Sequence, residues 1–429
     1  MSVVTSRASD PVVTIGGETA NPVSRKVPIV FTAVTVIAVL AAISARSGDT
    51  AFRFTRSSAD PTQLPEMHLP VCPTLWVIAV LLAVGTLFAW RRLLVRRKVP
   101  MWLVAVYGTL AVIGFLVWAG VGHAIPLVGL LGGALSLAVP LVYGALAGVI
   151  GERVGVVNIA IEAQLLSGAF TAAIVSSVTK QPLLALPAAM VTGMLVGMVL
   201  AAFSLKYLVD QVIVGVVLNV LVIGLTSFLY SQVLVPHADQ LNTPVRLDAL
   251  PIPLLSDIPV IGPVFFRQTI VVYLMYVAVA VVAAGLFRTR WGLRLRAVGE
   301  HPKAADTVGI KVISTRLWNV ALAGAIAGLG GTFFTIGSGI AFNKQMTAGM
   351  GYIALAAVIF GKWHPIKATL AALLFGFASN LQNTLSVIGS PVPSEFMLML
   401  PYVVTILAVA GLVGKSRAPA ASGKPYVKG

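Results

Sequence analysis

Charged side chains are scarce in this sequence of 429 residues: Asp, Glu, Lys and Arg together make up 10%, whereas apolar residues make up 58%. A soluble domain carries about 25% charged residues, so this composition excludes an ordinary water-soluble protein. Several apolar runs reach about 18 residues or more, which is enough to cross a hydrocarbon core of ~30 Å. We therefore expect an all-α polytopic membrane protein.

Cysteine is also nearly absent. Cys72 is the single cysteine of the sequence, so no intrachain disulfide can form and no cysteine cluster can bind a metal. His301 and His364 have no second His or Cys nearby, and no nucleophile–base pair stands out. We expect no catalytic site, no metal site and no cofactor bound by this chain.

Acidic residues are outnumbered by basic ones, 14 against 30. Such an excess could indicate a nucleic-acid partner, but Lys and Arg of membrane proteins collect in cytoplasmic loops. With the N-terminus inside, 23 of the 30 basic residues fall in cytoplasmic stretches. The sequence therefore predicts cytoplasmic N- and C-termini and no nucleic-acid partner.

Twelve apolar segments can be assigned along the chain. They cover residues 28–45, 71–90, 100–121, 125–150, 157–179, 182–205, 212–232, 268–287, 317–338, 346–361, 366–386 and 396–413. The first two enclose a polar loop and end in a basic cluster, which sets them apart. We expect a disordered tail, a two-helix appendage, a transmembrane domain of about ten helices and a cytoplasmic tail, at 1–27, 28–98, 99–413 and 414–429.

One loop inside the main domain looks soluble. The stretch RTRWGLRLRAVGEHPKAADTVGI lies in the basic loop, residues 288–316. Pro302 suits the first turn of a helix and Gly309 suits the position just after its end, which predicts a helix of about seven residues. A helix that short is unstable alone, so the loop or a partner must hold it. An interfacial loop touching lipid headgroups is the alternative.

Three blocks carry a family resemblance. The stretch above is similar to the cytoplasmic loop of bacterial ABC-importer permeases of the branched-chain amino acid, ribose and nucleoside superfamily. GERVGVVNIAIEAQLLSGAF (151–170) and MTAGMGYIALAAVIFGKWHPIKATLAALLFGFA (346–378) resemble two further blocks. Ala160 and Ala163 stand where the family commonly has glycine. Order and spacing agree over about residues 125–413, and the blocks look most like those of nucleoside-type permeases.

The resemblance implies a permease subunit in the bacterial plasma membrane that moves its cargo by alternating access. ATP would be bound by a separate ATP-binding cassette subunit. A second permease, related or identical, and an extracellular substrate-binding lipoprotein would complete the importer. Nucleosides are the implied cargo, and simple sugars or branched-chain amino acids are the alternatives. The first 98 residues have no counterpart in the family pattern.

The basic loop of this family carries the coupling helix, which seats in a groove of the ATP-binding subunit. The resemblance assigns that contact to Arg294, Arg296, Gly299, Glu300, His301, Pro302, Lys303, Ala304 and Ala305. GLVGKS (411–416) is not a phosphate-binding loop of the chain itself, because its first glycine would have to stand at Val409.

Polar residues within the apolar segments are candidates for the substrate pathway. They are Asn158, Glu162, Gln164, Asn219 and Asn380. Asn158 and Glu162 are four residues apart, so we expect them on one helix face. Glu162 either lines a pathway in a broken helix loosened by Gly151 and Gly155, or pairs with Arg153 or Lys206. Asn219 and Asn380 are more typical of hydrogen bonds between helices.

Two other classes of protein remain as rivals. An ion-coupled secondary transporter would carry ionisable residues at mid-membrane, where Glu162 is the only candidate. A lipid-modifying membrane enzyme would need a polar catalytic cluster at an interface, and none is evident.

Overall fold

The computed structural model describes residues 14–15, 18–19, 25–55, 64–389, 399 and 417–427. The chain forms two compact units, one made of Met1–Thr50 with Leu69–Gly122 and the other of Ala51–His68 with His123–Gly429. Within the described residues, nine helices are long and apolar enough to cross a membrane. The expectation of an all-α polytopic membrane protein is confirmed.

Helices dominate the described residues. The α-helices are α1 Lys26–Ile43, α2 Val71–Leu94, α3 Met101–Ala119, α4 Leu127–Arg153, α5 Ile161–Thr179, α6 Pro182–Leu205, α7 Gln211–Leu229, α8 Ala238–Leu241, α9 Ile270–Arg288, α10 Arg290–Glu300, α11 Pro302–Thr307, α12 Val312–Gly331, α13 Met350–Phe360 and α14 Pro365–Val387. Two π-helical turns, Tyr230–Leu234 and Gly262–Phe266, and one 3₁₀ turn, Thr332–Phe334, complete the helical elements.

The strands are short and lie in the tail and the loops. They are β1 Thr14–Ile15, β2 Glu18–Thr19, β3 Asp49–Arg53, β4 Met67–Pro70, β5 Ala124–Pro126, β6 Ala249–Pro251 and β7 Arg267–Thr269. β1 pairs with β2 and β6 with β7 in antiparallel fashion, and Ala51 to Arg53 of β3 pair with β5 in parallel.

The predicted spans agree with the helices at most positions. The first nine apolar segments correspond to the nine candidate membrane spans. The segment 346–361 contains α13, which has 11 residues and is too short to cross a bilayer. The segment 366–386 lies within α14, and the segment 396–413 lies outside the described residues.

The first unit consists mainly of α1, α2 and α3. Its centre is Tyr107, whose ring stacks on Phe31 with centroids 3.7 Å apart. The Tyr107 hydroxyl donates to the Phe31 carbonyl at 2.6 Å and lies 2.8 Å from the Thr35 hydroxyl. The third helix thus packs with the two that the sequence set apart, because its tyrosine supplies the polar centre of the bundle.

The second unit has central and peripheral helices. Most residues of α4, α5 and α12 are buried, whereas only about a third of those of α6, α7 and α9 are. In a membrane protein the exposed apolar side chains face lipid, since lipid is as apolar as they are. α4, α5 and α12 therefore form the core of this unit.

Glycines allow the core helices to approach closely. A Cβ at Gly193 of α6 would lie 2.3 Å from the Gly324 carbonyl oxygen of α12, and a Cβ at Gly168 of α5 would lie 2.2 Å from the Gly328 oxygen. At Gly148 of α4 a Cβ would lie 2.7 Å from a methyl carbon of Val358 in α13. These glycines therefore pack the helices together, because no side chain would fit at such contacts.

We expect Gly193→Ala to destabilise the protein, because the added methyl group would force α6 and α12 apart. Overpacking of this kind costs about 1–3 kcal/mol. Gly132→Ala is the matched control, since a Cβ there has no neighbour within 4 Å. Thermal unfolding of both variants in detergent checks the prediction, which fails if the two melt at the same temperature.

Candidate functional site

A buried carboxyl group joins the starts of two helices. Glu162 lies in the first turn of α5 and is buried. Its Oε1 accepts hydrogen bonds from the Thr347 hydroxyl at 2.6 Å and the Gly349 N–H at 2.9 Å. Its Oε2 accepts from the Gly351 N–H at 2.7 Å. The first N–H groups of a helix lack partners within the helix, so Glu162 caps α13 from a neighbouring helix.

Asn219 of α7 caps α5 in the same way. Its side-chain oxygen accepts from the Ala163 N–H at 2.9 Å. Its amide nitrogen donates to the Ile159 carbonyl at 2.9 Å and to the Tyr352 hydroxyl at 3.0 Å. We term Glu162, Asn219 and these partners the polar junction, at which α5, α7 and α13 meet.

The polar junction is closely packed. A Cβ at Gly351 would lie 2.4 Å from the Glu162 backbone nitrogen, so the two helix starts are almost in contact. Each helix N-terminus carries about half a positive charge, and the Glu162 carboxyl group lies between the two. Chemically, the arrangement fixes the starts of α5 and α13 inside the protein.

The other predicted pathway residues divide between two places. Asn158 and Gln164 are buried and hydrogen-bond each other at 3.0 and 3.3 Å. Asn380 of α14 donates to the Leu130 carbonyl of α4 at 2.8 Å, apart from the polar junction. The interhelical hydrogen bonds predicted for Asn219 and Asn380 are confirmed.

The expectation that Asn158 and Glu162 share a helix face is wrong. α5 begins at Ile161, so Asn158 precedes the helix and lies in the segment between α4 and α5. Gly155 in this segment has a φ of +91°, a left-handed conformation that favours glycine. The spacing rule for a helix face does not apply across this break.

The predicted ion pair of Glu162 with Arg153 or Lys206 is also wrong. Arg153 donates to the Trp363 carbonyl at 2.8 Å. Lys206 lies over the Tyr207 ring at 5.8 Å from its centroid. The carboxyl group is occupied instead by the uncharged donors at the start of α13, which a search for opposite charges could not reveal.

The short helix predicted in the basic loop is confirmed. α11 spans Pro302–Thr307, with Pro302 in its first turn. Gly309 follows with a φ of +86°, and its N–H donates to the Asp306 carbonyl at 2.9 Å. The Ile310 N–H donates to the Ala305 carbonyl at 3.0 Å, which closes the helix as a glycine C-cap does. α10 precedes α11 and completes a helical pair.

Most of the residues expected to contact an ATP-binding subunit are accessible. Arg294, Glu300, His301, Lys303 and Ala304 are exposed, and Arg296 and Pro302 are half-buried. The expected contact with a partner is wrong for Gly299 and Ala305, because both are buried within the chain. Ala305 belongs to the main hydrophobic core, and a Cβ at Gly299 would meet the Arg153 carbonyl oxygen.

The basic loop rests on an aromatic side chain of α9. The Arg296 and Arg153 guanidinium groups lie 5.1 and 5.9 Å from the Phe287 ring centroid. The His364 ring stacks on Phe287 with centroids 4.8 Å apart. Burial, followed by the nearby charges of Lys367 and Arg153, lowers the pKa of His364, so its neutral form is favoured in this basic surrounding.

Sequence reasoning missed two sets of residues. Thr347, Gly349 and Gly351 bind Glu162, and their only signal was the TAGMG stretch at the start of a block that carries the family resemblance. The C-terminal segment, residues 417–427, lies against the basic loop, with the Ala421 N–H donating to the Gly299 carbonyl at 2.9 Å. This polar segment lacks the periodic apolar residues from which its packing could have been predicted.

Comparisons with known proteins agree with this architecture. A family model described as the permease component of branched-chain amino acid transport systems matches residues 130–409. The chain belongs to this permease family. The matched residues include the polar junction and the basic loop. No solved structure gives a significant match.

Several curated relatives are similar to the permease chain. The guanosine ABC transporter permease protein NupQ of Bacillus subtilis is 42% identical over 308 residues, which cover 69% of this chain and 95% of the relative. The nucleoside ABC transporter permease protein NupC of Lactococcus lactis is 38% identical over 68% of this chain and 95% of the relative. A putative glucose ABC transporter permease of Haloferax volcanii is 35% identical over 59% of this chain and 77% of the relative.

We expect Glu162→Gln to destabilise the permease, because an amide NH₂ group would face an N–H or O–H donor that the carboxyl oxygen now accepts. A buried donor left without an acceptor costs about 1–3 kcal/mol. Asp239→Asn, at an exposed carboxyl group of α8, is the matched control. The measurement is thermal unfolding in detergent, and equal melting of both variants would show that α13 does not need this cap.

Proposed function

We propose that this chain is the transmembrane permease subunit of an ATP-driven importer for nucleosides. The observation that carries the proposal is α11, a short helix presented on a firmly packed loop in a chain of the permease family. A separate ATP-binding subunit would seat on the exposed residues of α10 and α11. ATP-driven closure of that subunit would move the basic loop, and the transmembrane helices would alternate between inward and outward states.

The remaining components follow from the same proposal. A second permease subunit, related or identical, would complete the pathway, and an extracellular substrate-binding lipoprotein would deliver the cargo. Both termini and the basic loop would lie in the cytoplasm, as the distribution of Lys and Arg favours. The chain itself would bind no ATP and catalyse no reaction.

The polar junction would position the helices that border the pathway. Its side chains are engaged with backbone and hydroxyl groups of the chain, so they would hold α5 and α13 in place rather than bind cargo directly. The same engagement argues against an ion-coupled transporter. Both oxygens of Glu162 are occupied, and Asp210 caps the start of α7 by accepting from Val212 and Ile213.

Nucleosides are proposed as cargo because two relatives, each matched by this chain over 95% of its length, carry guanosine or nucleoside in their names. The glucose permease relative keeps simple sugars as the second candidate. The sequence resemblance to nucleoside-type blocks points in the same direction as the first two relatives.

We expect Ala304→Trp to prevent binding of the ATP-binding subunit, because the bulky ring would stand on the exposed face of α11. A loss of about tenfold in affinity or more is expected, equivalent to ~1.4 kcal/mol. Ala238→Trp, at an exposed position of α8, is the matched control. Co-purification from detergent-solubilised membranes measures the effect. Absence of an ATP-binding subunit from the native sample would contradict the importer proposal.

We expect cells that contain the complete importer to take up labelled guanosine, and cells that lack this permease to lose that uptake. Labelled glucose and leucine serve as competing cargo classes in the same assay. Uptake of glucose or leucine instead of guanosine would contradict the nucleoside assignment and leave the importer mechanism in place.

A further inference from the structure

The C-terminal segment contacts the basic loop at the end of α10. The Ala421 N–H donates to the Gly299 carbonyl at 2.9 Å, and the Ala420 N–H donates to the Glu300 carboxylate at 3.2 Å. These contacts fix the segment to the end of α10. Tyr426 is buried in the main hydrophobic core, to which Ala305 of α11 also belongs. The segment is therefore packed as part of the fold.

Arg316 ties the same segment to α12. Its side chain is fully buried, and its Nη1 donates to the Lys424 carbonyl at 3.1 Å. Within the described part of the chain, its Nε and Nη2 find no hydrogen-bond acceptor. Among the described residues, the segment thus supplies the acceptor for this buried guanidinium group, whose burial without a hydrogen bond would be costly.

The segment also reaches the turn between α4 and α5. A Cβ at Gly155 would lie 3.3 Å from the Ala421 carbonyl oxygen, and a Cβ at Gly423 would lie 3.6 Å from a methyl carbon of Val157. This turn leads directly into α5, whose first residues form the polar junction. The segment thus contacts both the basic loop and the turn between α4 and α5.

Tyr426 lies beside Asp306 of α11. Burial, then the interaction with the Asp306 carboxylate, raises the pKa of the Tyr426 phenol, while the nearby positive charge of Arg316 lowers it. One aromatic side chain therefore stands between α11 and α12. α11 has six residues, too few to hold its position without such contacts.

We propose that the C-terminal segment is a strap that fixes α11 to α12 and to the turn before α5, so that movement of α11 reaches the transmembrane helices. Tyr426, Ala421 and Arg316 are its positioning residues. The inference rests on the proposed function and deepens it, since it concerns how force from an ATP-binding subunit enters the permease. A loose α11 would move alone, whereas a strapped α11 moves with the helix core.

The test compares Tyr426→Ala and a chain ending at residue 416 with the native chain in the complete importer. ATP hydrolysis and uptake of labelled guanosine are both measured in proteoliposomes. We expect the ATP-binding subunit to bind and hydrolyse ATP, while uptake per ATP falls about fivefold or more, the lower range of coupling between sites. Tyr426→Phe keeps the buried ring and should retain most of the native ratio.

Lys424→Ala is the matched control, because the Lys424 side chain is exposed and its hydrogen bonds are made by backbone atoms, which the substitution keeps. It should behave as native. A second readout is limited trypsin cleavage at two exposed lysines, Lys303 in the first turn of α11 and Lys311 shortly after its end. Cleavage there should be faster in Tyr426→Ala and in the shortened chain, and unchanged in Lys424→Ala.

The possible results are distinguishable. Native uptake per ATP and native trypsin cleavage in both altered chains would overturn the strap alone. Loss of the complex with native trypsin cleavage would also overturn it, since the segment would then be a direct contact of the ATP-binding subunit. Absence of any ATP-binding subunit from the native chain would overturn both the strap and the importer proposal.

Discussion

The capping of α13 by Glu162 is the interaction on which the architecture of the second unit depends. Backbone N–H groups inside a bilayer must find partners within the protein. α13 has 11 residues, so at 1.5 Å per residue it covers about 16 Å, roughly half of a ~30 Å hydrocarbon core. Its first N–H groups have no partners within the helix, and the Glu162 carboxyl group accepts two of them.

The same constraint explains why α5 and α13 begin side by side. α5 also starts at a break, and Asn219 satisfies one of its first N–H groups. A buried carboxyl group in a membrane protein is expensive unless hydrogen bonds surround it. Here the donors come from a helix start that would otherwise be unsatisfied, so two unfavourable features offset each other. Gly351 makes this possible because any side chain would separate the two helices.

The basic loop and the polar junction are separated by a short stretch of chain. α4 ends at Arg153 and α5 begins at Ile161. Arg153 contacts the loop before α14, its carbonyl packs against Gly299 of the basic loop, and Gly155 lies against the C-terminal segment. A displacement of the basic loop thus has a packed route to the start of α5. In an importer this route would carry the mechanical output of ATP binding.

The amino-acid sequence by itself determined the membrane class, the positions of the apolar helices and the short helix after Pro302. Each of these follows from local composition or spacing. The tertiary structure alone decided what Glu162 binds, that Gly299 and Ala305 are buried, and that Tyr426 packs against the basic loop. Those outcomes join residues more than 100 positions apart. Uncharged backbone donors and single buried rings leave no periodic pattern in the sequence. Their partners therefore become evident only in the folded chain.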